Sequence, residues 1–233
     1  MNTAIARLAF RSTLSLFSVS LLFAVFASAS ASGTTLMSLS VNSLSEQAEF
    51  VFEGEVISVE AQRSGNRGMV NTYVTFRVID IIKGDTGATD IELKFLGGSL
   101  NGEVLEVNGS RLPQLGERGI YFVESLSRDL INPLLGWSQG QYLIKTVDGV
   151  ESMTTVDAKP IIAISPTEVV SGSQSTQTLG ASTGTPSTQS RVLSPLRIAA
   201  DPNAAEGIVA IDRDSITGLS PDDFKQQIRA LIP

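Results

Sequence analysis

The chain has 233 residues, a formal net charge of −7 at pH 7, and neither cysteine nor histidine. An acidic balance argues against nucleic acid or anionic membrane as a partner, because both select basic surfaces. Without histidine a Ser-His-Asp triad cannot be assembled, and without cysteine thiol catalysis, disulfides and Cys/His zinc sites are closed.

Residues 1–31 read as a secretory signal peptide. Arg7 and Arg11 form a basic n-region, and no acid precedes Glu46. An apolar run from Leu14 to Phe26 follows, then the small residues Ala27-Ser28-Ala29-Ser30-Ala31, which satisfy the cleavage rule at Ala29 and at Ala31. The run is shorter than the ~20 residues a membrane-spanning helix needs, so cleavage rather than anchoring is expected. The product is expected to be periplasmic or extracellular, with no membrane contact after cleavage. Export without any cysteine fits a bacterial source better than a eukaryotic one.

Residues 32–164 carry the signals of a β-rich domain. A short helix opens it, with Leu36, Leu39, Leu44 and Ala48 on one face and Ser38 or Ser40 as N-cap. Phe50 to Arg63 and Met69 to Lys83 are rich in β-branched and aromatic residues and flank Ser64-Gly65-Asn66-Arg67-Gly68, which predicts a long hairpin. Gly54 marks a bulge or a close approach of another chain. A third strand is expected at Ile91, Leu93 and Phe95, a fourth over Val104–Val107 and a fifth over Ile120–Val123. A sixth over Trp137–Val147 pairs with Val150–Val156 across the Asp148-Gly149 turn. The glycine-rich Gly97–Gly102 stretch lacks a following helix and reads not as a phosphate cradle but as a flexible turn, or as backbone approaching a neighbour. Short strands separated by Gly-containing turns indicate a mainly β fold, an antiparallel barrel or sandwich for which an OB-like form is one option.

Composition changes near Ser165. Residues 165–200 are dominated by Ser, Thr, Gly, Gln and Pro at first and read as a linker or surface loop. Within the C-terminal segment 201–233, Ser220-Pro221-Asp222-Asp223 is a helix start. Phe224, Ile228 and Leu231 then give one apolar stripe, predicting a helix over about 221–231 that docks on the domain or on a partner.

The chemistry left to these residues is narrow. No nucleotide fingerprint and no Ser-x-x-Lys occurs. No catalytic residue, metal ligand or cofactor-binding residue is assigned, and no cofactor is implied. Glu53 and Glu55, two apart on a strand, share a face and are the one acid pair with a conceivable role in carbohydrate hydrolysis; solvated surface carboxylates are the plainer reading. Asp212 and Asp214 lack the further oxygen ligands of a calcium loop. Trp137, the single tryptophan, is a candidate anchor for a protein or sugar ligand, with a core position as the alternative.

Several segments in order resemble a group of small exported bacterial proteins of unknown function: Thr34-Thr35-Leu36, Leu44–Ala48, Val51–Val56, Phe76–Gly84, Gly97–Gly102, Leu115–Arg118, Tyr121–Val123, Gly136–Tyr142 and Leu219–Ile228. The strand–Lys-Gly–strand–Gly–strand order also resembles OB-like barrels of the tissue-inhibitor and netrin type, without their cysteines, which implies a binding or inhibitory role. The expected function is a non-enzymatic exported binding module for a protein or carbohydrate. Alternatives are a carbohydrate-active hydrolase using the paired carboxylates and a surface-matrix structural protein. Mass spectrometry of the exported product is expected to find the N-terminus at Ser30 or Ser32; a chain that keeps residues 1–29 would contradict the signal-peptide reading.

Overall fold

A computed structural model describes residues 37–65, 68–165, 201–212 and 217–233. The expected signal peptide, nearly all of the expected linker and Asp214 lie outside these residues. The elements in chain order are α1 (Val41–Gln47), β1 (Phe50–Ser64), β2 (Met69–Lys83), β3 (Asp90–Leu96), β4 (Gly98–Leu100), β5 (Glu103–Leu105) and β6 (Arg118–Val123). A 3-10 turn (Trp137–Gly140) follows, then β7 (Gln141–Val147), β8 (Val150–Thr154), β9 (Ile161–Ile164), β10 (Ile208–Ala210) and α2 (Pro221–Leu231). The fold is mainly β and antiparallel, with two helices. No helix among the described residues is long and apolar enough to cross a membrane.

Six strands form one sheet in the order β3-β2-β1-β6-β7-β8, every neighbouring pair antiparallel. β4 pairs with β5 and β9 with β10 in two small two-stranded sheets. Successive strand residues point to opposite faces, and the first half of β1 is buried on both. On one face Phe50, Phe52 and Val56 pack with Val74, Phe76, Phe95, Tyr121 and Leu134. Phe52 and Phe76 meet edge to face with centroids 5.6 Å apart, and Tyr121 stacks on Phe52 at 5.4 Å. On the other face Val51, Ile120, Phe122, Tyr142 and Met153 pack beneath both helices through Leu44, Phe224 and Ile228.

Both helices begin at the predicted serines. Ser40 Oγ accepts from the Ser43 N–H at 3.0 Å, and Ser220 Oγ accepts from the Asp223 N–H at 3.1 Å, each satisfying one of the free donors of a helix start. α2 docks on its own chain. Just before it, the Met153 N–H donates to the Leu219 carbonyl at 2.8 Å, so this segment covers the outer edge of β8 and removes an open edge from the sheet. At Gly54 the register of β1 on β2 shifts, and a Cβ would lie 2.5 Å from the Phe52 ring. Only a glycine lets the ring lie back across the strand there.

Four expectations need correction. Of the two readings of Gly97–Gly102 the free turn fails and the close approach to a neighbour holds: Gly98–Leu100 is β4, and Thr72 Oγ1 donates to the Gly97 carbonyl at 2.6 Å. Gly97 and Gly98 have φ of 101° and 125°, a backbone that side-chain-bearing residues rarely adopt. The fourth strand ends at Leu105, short of Val107. The sixth begins at Gln141, because Gly136 and Trp137 take left-handed φ of 66° and 59° and turn the chain into a 3-10 helix. The seventh stops at Thr154, since the Thr155 N–H bonds to the Lys159 carbonyl at 2.9 Å and begins a turn. β9 and β10 were not anticipated; each is too short to show a period.

Phe224 is fully buried beneath α2, against Tyr142 at a centroid distance of 5.3 Å. Phe224→Ala is therefore expected to lower unfolding free energy by about 3–5 kcal/mol, measured by urea denaturation. A loss below about 1 kcal/mol would show that α2 does not hold this position.

Candidate functional site

Glu53 lies at the centre of the sheet with no exposed surface. Burial of an ionised carboxylate is costly unless it is paired and hydrogen-bonded. Here Arg118 Nε donates to Oε1 at 2.7 Å, and Lys225 Nζ donates to Oε2 at 2.7 Å. Arg118 comes from the neighbouring β6 and Lys225 from α2, so strand pairing and helix docking together supply the two cations. The pairs extend outward. Lys225 reaches Asp80 at 3.1 Å and Asp222 at 3.0 Å, Arg229 reaches Asp80 at 2.9 Å, and Arg118 reaches Glu151 at 2.5 Å.

The electrostatics follow from this arrangement. Partial burial pushes the Asp80 carboxyl upward, but hydrogen bonds and charge from Arg229 and Lys225 outweigh it and hold the group below the usual carboxylate range. Burial disfavours the Lys225 ammonium, and the carboxylates of Glu53, Asp222 and Asp80 overcome that, keeping it charged above the ordinary lysine range.

The residues singled out from sequence are not brought together. Glu55 is exposed, opposite Arg77 and Arg118 in the sheet register, while Glu53 is enclosed by its cations. Trp137 is half-buried at the start of the 3-10 turn and belongs to neither hydrophobic cluster. The next residue ties that turn down: Ser138 Oγ donates to the Gly109 carbonyl at 2.8 Å.

Gly109 in turn lines a cleft of about 460 Å³ between the β4–β5 hairpin and the segment that follows it. Leu96, Val104, Leu105, Val107 and Leu112 provide its apolar surface, and Ser99, Asn108 and Ser110 its polar groups. Leu112 packs against the Phe52–Tyr121 core, whereas Val104 is 62% exposed. Ser110 Oγ accepts from Asn132 Nδ2 at 2.9 Å, and Asn132 Oδ1 accepts from the Leu134 N–H at 2.9 Å, which fixes the cleft wall to the core. Sequence reasoning missed this cleft. Its one sequence signal was Val104, Leu105 and Val107 set among Glu103 and Glu106, in a stretch too short to bury all three.

A smaller recess of about 280 Å³ is lined by Glu117, Arg118, Leu143, Lys145 and Glu151. Two of its charges are spent on each other, Arg118 on Glu151, and Glu117 is held by Arg111 at 2.9 Å. Among the described residues no cluster of three His, Cys, Asp or Glu groups is placed to hold a metal ion.

No protein-family model, no curated protein and no solved structure matches the chain.

Removing one member of a buried ion pair strands the other charge. Lys225→Met is expected to cost about 3–5 kcal/mol, and adding Glu53→Gln to the same chain is expected to return part of that loss. Chemical denaturation of the four chains in this cycle gives the coupling; strict additivity of the two single losses would show that the charges act independently.

Proposed function

We propose that the chain is an exported, non-enzymatic binding module that seats an extended segment of a partner protein in the cleft beside β5. The observation that carries this reading is the cleft itself: exposed Val104 and the apolar surface of Leu105, Val107 and Leu112 lie beside backbone and hydroxyl groups. Among the described strands β5 has a partner on one side only, and an extended peptide added to such an edge is a recurrent mode of recognition. The strand order, with β1 between β2 and β6, supports an OB-like curl of the sheet, and the N-terminal pattern supports export. Membership in the group of exported bacterial proteins that its segments resemble is part of the same proposal. Fold likeness alone assigns no ligand.

The hydrolase reading has less support. Glu53 has no exposed surface and is bound to two cations, so it and Glu55 do not face each other across a cleft as glycoside chemistry requires.

Immobilised protein is expected to retain a partner from periplasmic or culture extract, and Val104→Asp is expected to lose it at least tenfold while keeping the wild-type circular-dichroism spectrum. Retention of the same partner by the folded variant would remove the cleft from the proposal, and a glycan-array signal in place of a protein partner would replace the ligand class.

A further inference from the structure

Gln141 and Tyr121 stand directly opposite each other on β7 and β6. Both are fully buried. Among the described residues neither the Gln141 Oε1 and Nε2 atoms nor the Tyr121 hydroxyl has a hydrogen-bond partner. Because cross-strand partners share a face with Cβ atoms about 4.5–5.5 Å apart, the carboxamide and the phenol leave the backbone on the same side of the sheet. That side is the one on which Tyr121 packs with Phe52 and Phe76.

Buried polar atoms in folded proteins are almost always satisfied, by protein or by ordered water. A fully buried glutamine with an idle amide, opposite a fully buried tyrosine with an idle hydroxyl, is two such demands on facing positions of neighbouring strands. The strand brings a further acceptor close. A Cβ on Gly119 would come 2.4 Å from the Tyr142 carbonyl oxygen and 3.3 Å from the phenol oxygen, so both oxygens border the position that the glycine leaves without a side chain. Charge is near as well: Glu117 and Arg111 both act electrostatically on the Tyr121 hydroxyl.

We propose that Tyr121 and Gln141 form an internal hydration site that holds one or two ordered water molecules inside the sheet's aromatic core. The donor and acceptor inventory fits. The phenol offers one donor and an acceptor, and the carboxamide two donors and an acceptor, while a buried water makes about three hydrogen bonds. Size selects water over a larger solute. Neither side chain lines the cleft beside β5 or the recess at Glu117, and neither has exposed surface, so a ligand of several heavy atoms has no opening through these cavities. The site is distinct from the peptide cleft and does not depend on it.

Oxygen-17 magnetic relaxation dispersion of the full chain counts long-lived internal waters. The wild type is expected to hold at least one more than the Tyr121→Phe, Gln141→Met double variant, and equal counts would overturn the proposal. Should the double variant fail to fold, a crystal structure of the wild-type protein at about 1.5 Å or better decides. Spherical density within hydrogen-bond distance of Tyr121 Oη and the Gln141 carboxamide supports it. An empty site, a direct protein partner for these atoms, or density of a larger molecule overturns it.

Discussion

The structure depends on a carboxylate where a sheet would ordinarily place an apolar side chain. β1 is covered on both faces over Phe50 to Gly54, and Glu53 falls within that stretch. A lone charge there would be expelled or neutralised. Arg118 satisfies half of the requirement from the adjacent strand, and Lys225 supplies the rest from a position 172 residues further along. The consequence is a dependence of the sheet centre on the C-terminal helix. A helix of this length is marginal alone. The sheet face it covers carries a charge that apolar contact cannot satisfy.

This coupling explains the composition of α2. Pro221, Phe224, Lys225 and Ile228 are its buried residues, so a lysine shares the stripe with two large apolar side chains. Lys225 can occupy that place because its stem packs among apolar groups while its ammonium reaches an acid. Arg229, one position beyond Ile228, extends the same charge pattern to Asp80 at the edge of the cluster. Apolar burial supplies the driving force for docking, and the ion pairs set Lys225 against Glu53 and Arg229 against Asp80. The net contribution of a buried ion pair to stability is small, while removal of one partner alone is costly.

Much of the architecture was legible in the sequence. The limits of β2 and α2, the serine caps and the Asp148-Gly149 hairpin follow from local chemistry, and local chemistry acts within a few residues. The misreadings arose where a distant contact decided. The glycines at 97 and 98 read equally as flexibility or as close approach until Thr72 is seen to bind the Gly97 carbonyl, and Trp137 read as strand because its left-handed backbone leaves no mark in residue type. Glu53 is the sharpest case. Its neighbours in sequence are Phe52 and Gly54, and nothing local distinguishes a surface acid from one whose partner arrives from the far end of the chain. The cleft beside β5 was hidden for another reason: its lining falls within residues 96–112, in two three-residue strands and a loop too brief to show a period.

The two faces of β1 thus carry different chemistry. Beneath the helices the charged side chains of the cluster are engaged with one another. On the other face the aromatic core passes through Leu112 into the cleft. At the base of the β4–β5 hairpin Thr72 Oγ1 donates to the Gly97 carbonyl, the Gly97 N–H donates to the Val70 carbonyl at 2.9 Å, and Arg63 forms an ion pair with Glu103. That ion pair is exposed and contributes little. Among the described strands β5 pairs with β4 alone. A ligand that pairs with β5 and covers Val104 would supply what this corner lacks, apolar cover and a second line of backbone hydrogen bonds, while the ion cluster behind the sheet keeps the platform fixed.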